Sequence, residues 1–281
     1  MKINEYNKNK WFVSFDYIQE FKKYLDNTKP NKIFYDKRFQ CSLDNDFSFR
    51  GTYSFEEAQK LMENGWEEGA KNITGKFNNA ILKHKKIQNV KKNIYDIQGY
   101  QACVPRYLQD IPTSMINKKN YKKQVKILNV YKSICYNHKW EKDDIIKESV
   151  KALLIVDKLE SAGYRCNLYT IFGSKKNNEE VICVVKIKDS KEKINIFKCA
   201  YLLAHPSFLR RHMFRFIELF PHITGRNFIW SYGVPILKND LKNILKKQQQ
   251  QNDFLFIDLS ICKSFEEILN INDFKEIEEI L

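Results

Sequence analysis

The chain after residue 124 alternates short apolar runs with a long helical pattern, and this alternation restricts the fold more than any other feature. Residues 143–161 form the helical pattern, which Asp143 or Asp144 can cap, and the turn-forming residues 173–178 indicate a hairpin. Four apolar runs have the length and composition of buried strands: 125–130, 164–172, 181–187 and 254–259. This order predicts an α/β domain with a mostly parallel sheet that is flanked by helices.

The remaining segments extend this prediction in both directions. In the N-terminal part, we interpret residues 1–48 as an arm with one helix near 17–25, and we expect helices at 54–64 and 70–92 and irregular structure at 93–120. The chain is therefore divided into a basic, mainly helical N-terminal region, 1–120, and the α/β domain, 121–281. Two helices, a strand and a short helix follow in the α/β domain: 195–204, 206–219, 228–232 and 241–247. A final helix, with Ser264 and Glu267 spaced as a second capping box, completes it.

Segment 49–69 contains the clearest helix-boundary signals. Ser54 and Glu57 have the spacing of a capping box, in which each side chain pairs with the backbone N–H of the other residue. Gly65 can adopt the left-handed conformation that ends a helix. Trp66 is expected to anchor that helix end against the α/β domain. The segment contains no histidine, cysteine or nucleophile arranged for catalysis, so it predicts a structural brace.

The same segment resembles a tailed-phage protein family of unknown function. The shared pattern is Phe-x-Gly-Thr-x-Ser-Phe-Glu-Glu-Ala from Phe49, followed by Gly-Trp-x-Glu-Gly from Gly65. A second similar block is Val-x-Arg-Tyr-Leu from Val104, with Pro112 and Met115 after it. The resemblance implies a phage-encoded protein in the cytoplasm of an infected bacterial host, or one associated with the virion. It supplies no catalytic residue.

The α/β region is also similar, more loosely, to von Willebrand factor A-like domains. In that family the first strand ends in Asp-x-Ser-x-Ser, which binds a divalent metal, and an antiparallel edge hairpin follows the first helix. Here the corresponding residues run from Asn129 to Ser133, and Lys132 brings a positive charge to the place of the cation. Asp258 adds one carboxylate, which is too little for Mg²⁺. We expect a degenerate domain of this type that binds no metal or other cofactor.

Charge is distributed unevenly along the chain. Residues 71–95 contain seven lysines and no acidic residue, whereas 264–281 contain six acidic residues and one lysine. Basic runs attract phosphate backbones or acidic proteins, and the alternative for each run is a solvated helix face. Aromatic residues beside them, such as Phe77 and Tyr95, are typical of single-strand binding. The candidate binding lysines are Lys83, Lys85, Lys86, Lys91, Lys92, Lys118, Lys119, Lys122 and Lys123.

A second candidate site is the polar cluster in the apolar segment 205–215. On a helix that starts at Ser207, Arg211 and Arg215 share a face and could hold a phosphate, either as a binding site or in an enzyme acting on a phosphorylated or nucleotide substrate. The alternative, which we favour, is structural: Ser207 caps the helix and the arginines pair with acidic residues such as Glu218. The residues concerned are His205, Arg210, Arg211, His212 and Arg215.

These features together favour a non-catalytic protein that binds a polyanionic partner, with nucleic acid ahead of an acidic protein. The runner-up is the enzyme described above. A third class is a structural or anti-defence module whose acidic C-terminal helix docks on a basic neighbour or on another copy of the chain. The seven cysteines include no Cys-x-x-Cys pair, which indicates reduced thiols. The sequence has no signal region or membrane-length apolar run, so no membrane partner is expected.

Overall fold

The computed structural model describes residues 1–29, 42–44, 46–83, 94–117, 126–136, 139–176, 179–221, 241, 244–245, 254–258 and 264–269. Its elements in chain order are β1 (Lys2–Asn7), β2 (Lys10–Phe15), α1 (Ile18–Asn27), α2 (Phe47–Arg50), α3 (Phe55–Asn64), α4 (Glu67–Lys83), β3 (Ile94–Asp96), β4 (Gln101–Ala102), α5 (Val104–Tyr107), β5 (Met115–Asn117), β6 (Ile127–Ser133), α6 (Lys142–Ser161), β7 (Arg165–Lys176), β8 (Glu179–Lys188), α7 (Ile196–Ala204), a π-helix (Phe208–Met213), α8 (Phe214–Leu219), β9 (Phe254–Ile257) and α9 (Phe265–Leu269).

The chain divides into two compact units. The α/β unit consists of Met1–Leu82 and Lys126–Leu281, and the basic unit consists of Lys83–Val125. This division differs from the boundary predicted at residue 120, because β2 pairs with β8 from the second half of the chain and β1 pairs with β2.

The α/β unit is built on one six-stranded mixed sheet with the order β1-β2-β8-β7-β6-β9. β6 is parallel to both β7 and β9, and β2 is parallel to β8. The pairs β1–β2 and β7–β8 are antiparallel. The four strands predicted from apolar runs are therefore confirmed, as is the hairpin between β7 and β8. The unit is an α/β structure whose mixed sheet is flanked by helices.

Residues 2–15 are not part of the arm that the sequence predicted for 1–48, because they form two strands. The helix near 17–25 is confirmed as α1, but β1 and β2 precede it and extend the sheet. β2 lies between β1 and β8 and is covered on both faces, so its apolar residues do not alternate strictly with polar ones. The N-terminal region therefore contributes strands as well as helices.

Two apolar clusters lie among the buried residues of the sheet and its helices. Trp11, Val13 and Phe15 of β2 belong to the larger cluster, which includes most of the buried residues of α6, α7 and α8. Phe12, between them, belongs to the smaller cluster with Tyr131 of β6. Successive side chains of a strand point to opposite faces, so the two clusters cover the two faces of the sheet. Three cysteines of the core are buried free thiols: Cys166, Cys183 and Cys199.

The boundaries of α3 lie where the sequence predicted them, but only half of the capping box forms, because the Glu57 carboxylate accepts the backbone N–H of Tyr53 at 2.7 Å and not that of Ser54. The backbone N–H of Glu57 donates to Ser54 Oγ at 3.1 Å, which caps the helix. Gly65 ends it with φ +88°, and a Cβ there would lie 2.7 Å from the Cβ of Phe197. Trp66 is buried, and its backbone N–H donates to the Phe197 carbonyl at 3.1 Å. Segment 49–69 thus braces α3 against α7, as predicted for Trp66.

Two other predicted helix features have different outcomes. Glu141, rather than Asp143 or Asp144, occupies the N-cap position of α6, and its side chain makes no capping hydrogen bond. Asp143 and Asp144 lie in the first turn, where negative charge favours the helix dipole. The predicted strand at 228–232 lies outside the described residues. Within the described helices, none has the length and apolar content needed to span a membrane.

Candidate nucleic-acid interface

The basic unit concentrates the positive charge of the chain. Its 43 residues contain nine lysines and Arg106 against Asp96 and Asp110, a net charge of +8 out of +14 for the whole chain. All nine lysines predicted to bind nucleic acid belong to this unit. Lys83 is the last residue of α4, and the other eight lie outside the described residues. The framework that the structure describes in this unit is residues 94–117, which lie in sequence between Lys92 and Lys118.

That framework is a three-stranded antiparallel sheet with the order β3-β5-β4. Gly99 precedes β4 and lies so close to β5 that a Cβ would be 2.2 Å from the carbonyl oxygen of Ile116. The next residue, Tyr100, donates its backbone N–H to the same carbonyl at 3.0 Å. Gly99 therefore permits the close approach that brings β4 alongside β5.

Strand register pairs the two described residues that border the lysine runs, 83–92 and 118–123, in sequence. Ile94, the first residue of β3, is the antiparallel partner of Asn117, the last residue of β5. The chain therefore enters β3 and leaves β5 at the same end of this sheet. Lysine runs separated by 25 residues in sequence thus border two residues that are paired in the sheet.

Arg106 of α5 is oriented by two hydrogen bonds and a ring. Its Nε donates to the Thr113 carbonyl at 3.0 Å, and one terminal nitrogen donates to Thr113 Oγ1 at 3.1 Å. The guanidinium carbon lies 4.3 Å from the ring centroid of Tyr95, which fits a cation–π contact. Its guanidinium is within salt-bridge distance of no carboxylate in the described part of the chain. Arg106 thus presents a fixed positive charge next to an aromatic ring.

Exposed apolar side chains surround this arginine in sequence. Val104, Tyr107 and Leu108 have the spacing of one helical face on α5 and its last turn. The proline-rich stretch 93–120 was expected to be irregular, but Pro105 lies in the first turn of α5, where its missing N–H is tolerated. Five large apolar side chains here are between 57% and 76% exposed: Ile97, Tyr100, Val104, Tyr107 and Leu108.

Arg211, in contrast, is fully buried in the α/β unit. Its Nε donates to Thr52 Oγ1 at 2.6 Å, and its two terminal nitrogens donate to the carbonyls of Thr52 at 2.7 Å and Ser42 at 3.0 Å. Arg210 donates to the carbonyl of Phe49 and lies over that ring at 4.2 Å. Two of the three arginines predicted to bind anions, Arg210 and Arg211, thus donate hydrogen bonds to carbonyls of their own chain. We call Ser42, Thr52, Ser207 and Arg211 the buried clamp.

The neighbouring polar residues complete the clamp. Arg215 pairs with Glu218 at 3.4 Å, as the structural alternative predicted. The Glu218 carboxylate also accepts the backbone N–H of Ser42 at 2.9 Å. Ser207 is not the predicted helix cap, because its hydroxyl donates to the Arg50 carbonyl at 2.6 Å. The π-helix alters the helical phase after Ser207, so that Arg211 points into the protein.

His205 and His212 lie in the same buried region. Burial lowers the pKa of each imidazole to about 3, so both rings are neutral near pH 7. His212 Nδ1 is 3.1 Å from the hydroxyl of Tyr201, and His205 Nδ1 accepts the backbone N–H of Ser207 at 3.1 Å. The cavity beside His205 measures about 10 Å³, room for one water molecule. Both histidine rings are thus enclosed by the described residues around them.

Lys132 is buried at the carboxyl end of β6. Its ammonium group donates to the backbone carbonyl of Asp258 after β9 and lies 5.7 Å from the Tyr136 ring centroid. Burial lowers the pKa of Lys132 to about 7, and the carboxylates of Glu148 and Asp258 oppose that shift. Lys132 thus places a basic side chain at the end of β6, where the resemblance to von Willebrand factor A-like domains predicts the position of a cation. Among the described residues, no three His, Cys, Asp or Glu side chains are grouped to hold a metal.

The start of the acidic C-terminal segment is described as α9. The backbone N–H of Glu267 donates to Ser264 Oγ at 3.2 Å, so this predicted cap is confirmed. Ile268 is fully buried in the larger apolar cluster. Residues 270–281, which contain four of the acidic side chains, lie outside the described residues.

Comparison with known proteins gives one match. A family model described as "Domain of unknown function (DUF7192)" matches residues 2–276. No curated protein matches the chain, and no solved structure does.

Proposed function

Since the chain belongs to this family of unknown function, we propose that it is a non-catalytic binding protein that holds a polyanionic partner, nucleic acid, through its basic unit. The observation that carries the proposal is the register of β3 and β5, which pairs Ile94, just after one lysine run in sequence, with Asn117, just before the other. Lysines gathered in this way neutralise several neighbouring phosphates at once, and the release of condensed counterions drives binding.

The contrast between arginines supports the choice of surface. Arg211 and Arg210 make hydrogen bonds to carbonyls inside the α/β unit, so their place in this proposal is structural. Arg106 lies on the basic unit beside Tyr95 and joins the binding residues. We therefore assign phosphate binding to Arg106 and to the nine lysines of the basic unit, Lys83, Lys85, Lys86, Lys91, Lys92, Lys118, Lys119, Lys122 and Lys123.

Salt dependence measured by fluorescence anisotropy tests this assignment. We expect log K for a labelled oligonucleotide to fall linearly with log salt, with a slope of about 0.7 to 0.9 per neutralised phosphate. Substituting glutamine at Lys118, Lys119, Lys122 and Lys123 should reduce that slope by roughly three. A matched variant changes four exposed lysines of the α/β unit to glutamine and should bind like the unmodified chain: Lys23, Lys60, Lys191 and Lys193.

Two results would reject the proposal. One is the absence of oligonucleotide binding at low salt. The other is an equal loss of affinity in both quadruple variants, because the total charge of the chain, rather than the basic unit, would then govern binding. If an acidic protein binds the basic unit with a steeper salt slope than any oligonucleotide, the partner is a protein.

We extend the proposal to the origin and ancestry of the chain. The order β8-β7-β6-β9, with β8 antiparallel to β7, supports kinship with von Willebrand factor A-like domains, although β2 and β1 continue the sheet beyond β8. A phage gene neighbourhood would support action in an infected bacterial host or in the virion. Sizing chromatography of the full chain and of a chain ending at residue 269 tests self-association through the acidic segment.

A further inference from the structure

Phosphate binding leaves one feature of the basic unit without a role, which is its exposed apolar face. This face consists of Val104, Tyr107 and Leu108 on α5, together with Tyr100 before β4. We infer that the apolar face takes the unpaired bases of a single-stranded nucleic acid, while the lysine runs hold its phosphates. The inference rests on the proposed function and specifies its substrate as single-stranded.

The small sheet has the residues that border the lysine runs at one end and the residue pair before α5 at the other. Ile94 lies two residues after Lys92 in sequence, and its partner Asn117 directly precedes Lys118. α5 follows Ala102, which pairs with Met115 at the other end of β5. Three strand residues span about 10 Å, so the Ile94–Asn117 pair lies about that far along β5 from the pair that leads into α5.

Arg106 of α5 and Tyr95 of β3 are in contact. Tyr95 is the middle residue of β3, and the Arg106 guanidinium lies over its ring at 4.3 Å. The two hydrogen bonds from Arg106 to Thr113 fix the plane of the guanidinium. A fixed guanidinium beside exposed aromatic side chains can contact a phosphate while bases lie against the tyrosines.

Charge decides which occupant suits the apolar face. The face belongs to a unit with a net charge of +8, so an anionic partner is favoured over a neutral apolar one. A nucleic-acid duplex offers phosphates but keeps the faces of its bases stacked inside. A single strand offers phosphates and open base faces together, which matches lysines and arginine next to tyrosines.

The test compares three labelled probes of about 12 nucleotides, a length within the site sizes of single-strand binders. The probes are oligo(dT), oligo(U) and a DNA duplex of mixed sequence, each titrated at the same ionic strength. We expect Tyr107→Ala to weaken single-strand binding roughly 5- to 150-fold, because stacking on one ring is lost. Tyr107→Phe keeps the ring and should bind within about twofold of the unmodified chain. The salt slope should be the same in all three proteins.

A second measurement does not depend on the variants. Ultraviolet cross-linking of an oligonucleotide that carries 5-iodouridine, followed by mass spectrometry, should modify Tyr100 or Tyr107. Equal affinity for duplex and single strand, unaltered binding by Tyr107→Ala, or cross-links confined to other segments would each overturn the inference. In these cases salt-dependent binding would persist, and the proposed function would stand. Absence of salt-dependent binding to every probe would instead reject both.

Discussion

Arg211 in the buried clamp and Arg106 in the basic unit are held in nearly the same way. Each donates one hydrogen bond to the carbonyl and one to the hydroxyl of a single threonine, Thr52 for Arg211 and Thr113 for Arg106. Their surroundings differ. Arg211 is fully buried and adds a third bond to the Ser42 carbonyl, whereas Arg106 lies against Tyr95 at the surface. The same local geometry thus serves the fold in one place and presents a charge in the other.

Sequence separation explains what each arginine stabilises. Arg211 and Thr52 are 159 residues apart, so their hydrogen bonds connect the segment before α3 to the π-helix. Arg106 and Thr113 are seven residues apart, so their bonds stabilise only one local turn of the basic unit. The comparison predicts that stability depends strongly on Arg211 and weakly on Arg106. Four predictions test this contrast, from the largest effect on stability to the smallest.

Replacing Arg211 with methionine should have the largest effect. The substitution leaves buried carbonyls of Thr52 and Ser42 without donors, which costs about 3 to 5 kcal/mol of unfolding free energy. Urea denaturation followed by circular dichroism measures this loss.

The matched control is Arg106→Met, which should cost less than about 1 kcal/mol because the affected hydrogen bonds are local and near the surface. Equal losses in the two variants would contradict the contrast between clamp and basic unit.

Acidification should weaken the clamp region through its histidines. The pKa of His212 is about 3 in the folded protein and that of an unfolded histidine is about 6.5, so the unfolded state binds more protons between these values. Stability is therefore fully present above pH 6.5 and is lost as the pH falls toward 3, by about 1.4 kcal/mol per pH unit for each such histidine. The pKa of His205 is lowered in the same way, so this histidine adds to the pH dependence of the unfolding free energy.

His212→Gln isolates this contribution. Urea denaturation at pH values between about 6 and 4 should show a slope smaller by about 1.4 kcal/mol per pH unit in the variant. Carboxylates that titrate in this range affect both proteins equally, so the difference between the two slopes is diagnostic. Identical slopes would mean that His212 is accessible to protons in the folded state.

The sequence predicted the central strands better than it predicted either candidate site. β6 to β9 were recognisable because each contains a short stretch rich in apolar residues that is bounded by turns or polar residues. The clamp joins Ser42, Thr52 and Arg211 across more than 150 residues, and no local pattern encodes such hydrogen bonds. The π-helix also shifts the side chains after Ser207 away from the faces expected for an α-helix.

For the basic unit, sequence identified the lysines but not the framework that joins them. The pairing of Ile94 with Asn117 connects two three-residue strands, which are too short to show a period in the sequence. The apolar face on α5 did have a signal, since Val104, Tyr107 and Leu108 are spaced three and four residues apart. Neighbouring Gly99 and Pro105 masked that signal by indicating irregular structure.

The cap of α3 is an intermediate case. Ser54 makes a local hydrogen bond, as Arg106 does, yet it belongs to the α/β unit next to the clamp. If the contribution of a hydrogen bond to stability depends on its exposure and on the sequence separation of its partners, Ser54→Ala should lower the unfolding free energy by about 1 kcal/mol, the usual value for an N-cap. Ser264→Ala removes the equivalent bond from α9 and is the matched control. A loss of more than about 3 kcal/mol for Ser54→Ala would place this cap with the clamp.

The exposed tyrosines Tyr100 and Tyr107 are expected to have the smallest effect on the unfolding free energy. They therefore separate nucleic-acid binding from stability most clearly. Tyr107 is 67% exposed, whereas Tyr201 is fully buried with its hydroxyl next to His212. Replacing both Tyr100 and Tyr107 with serine should change the unfolding free energy by less than about 0.5 kcal/mol, because neither ring loses substantial burial. Tyr201→Phe keeps its ring but removes a buried hydrogen bond, which costs about 1 kcal/mol. Urea denaturation measures both values. A larger loss in the exposed pair than in Tyr201→Phe would mean that the apolar face is packed against the protein, and a surface packed in this way could not accept bases.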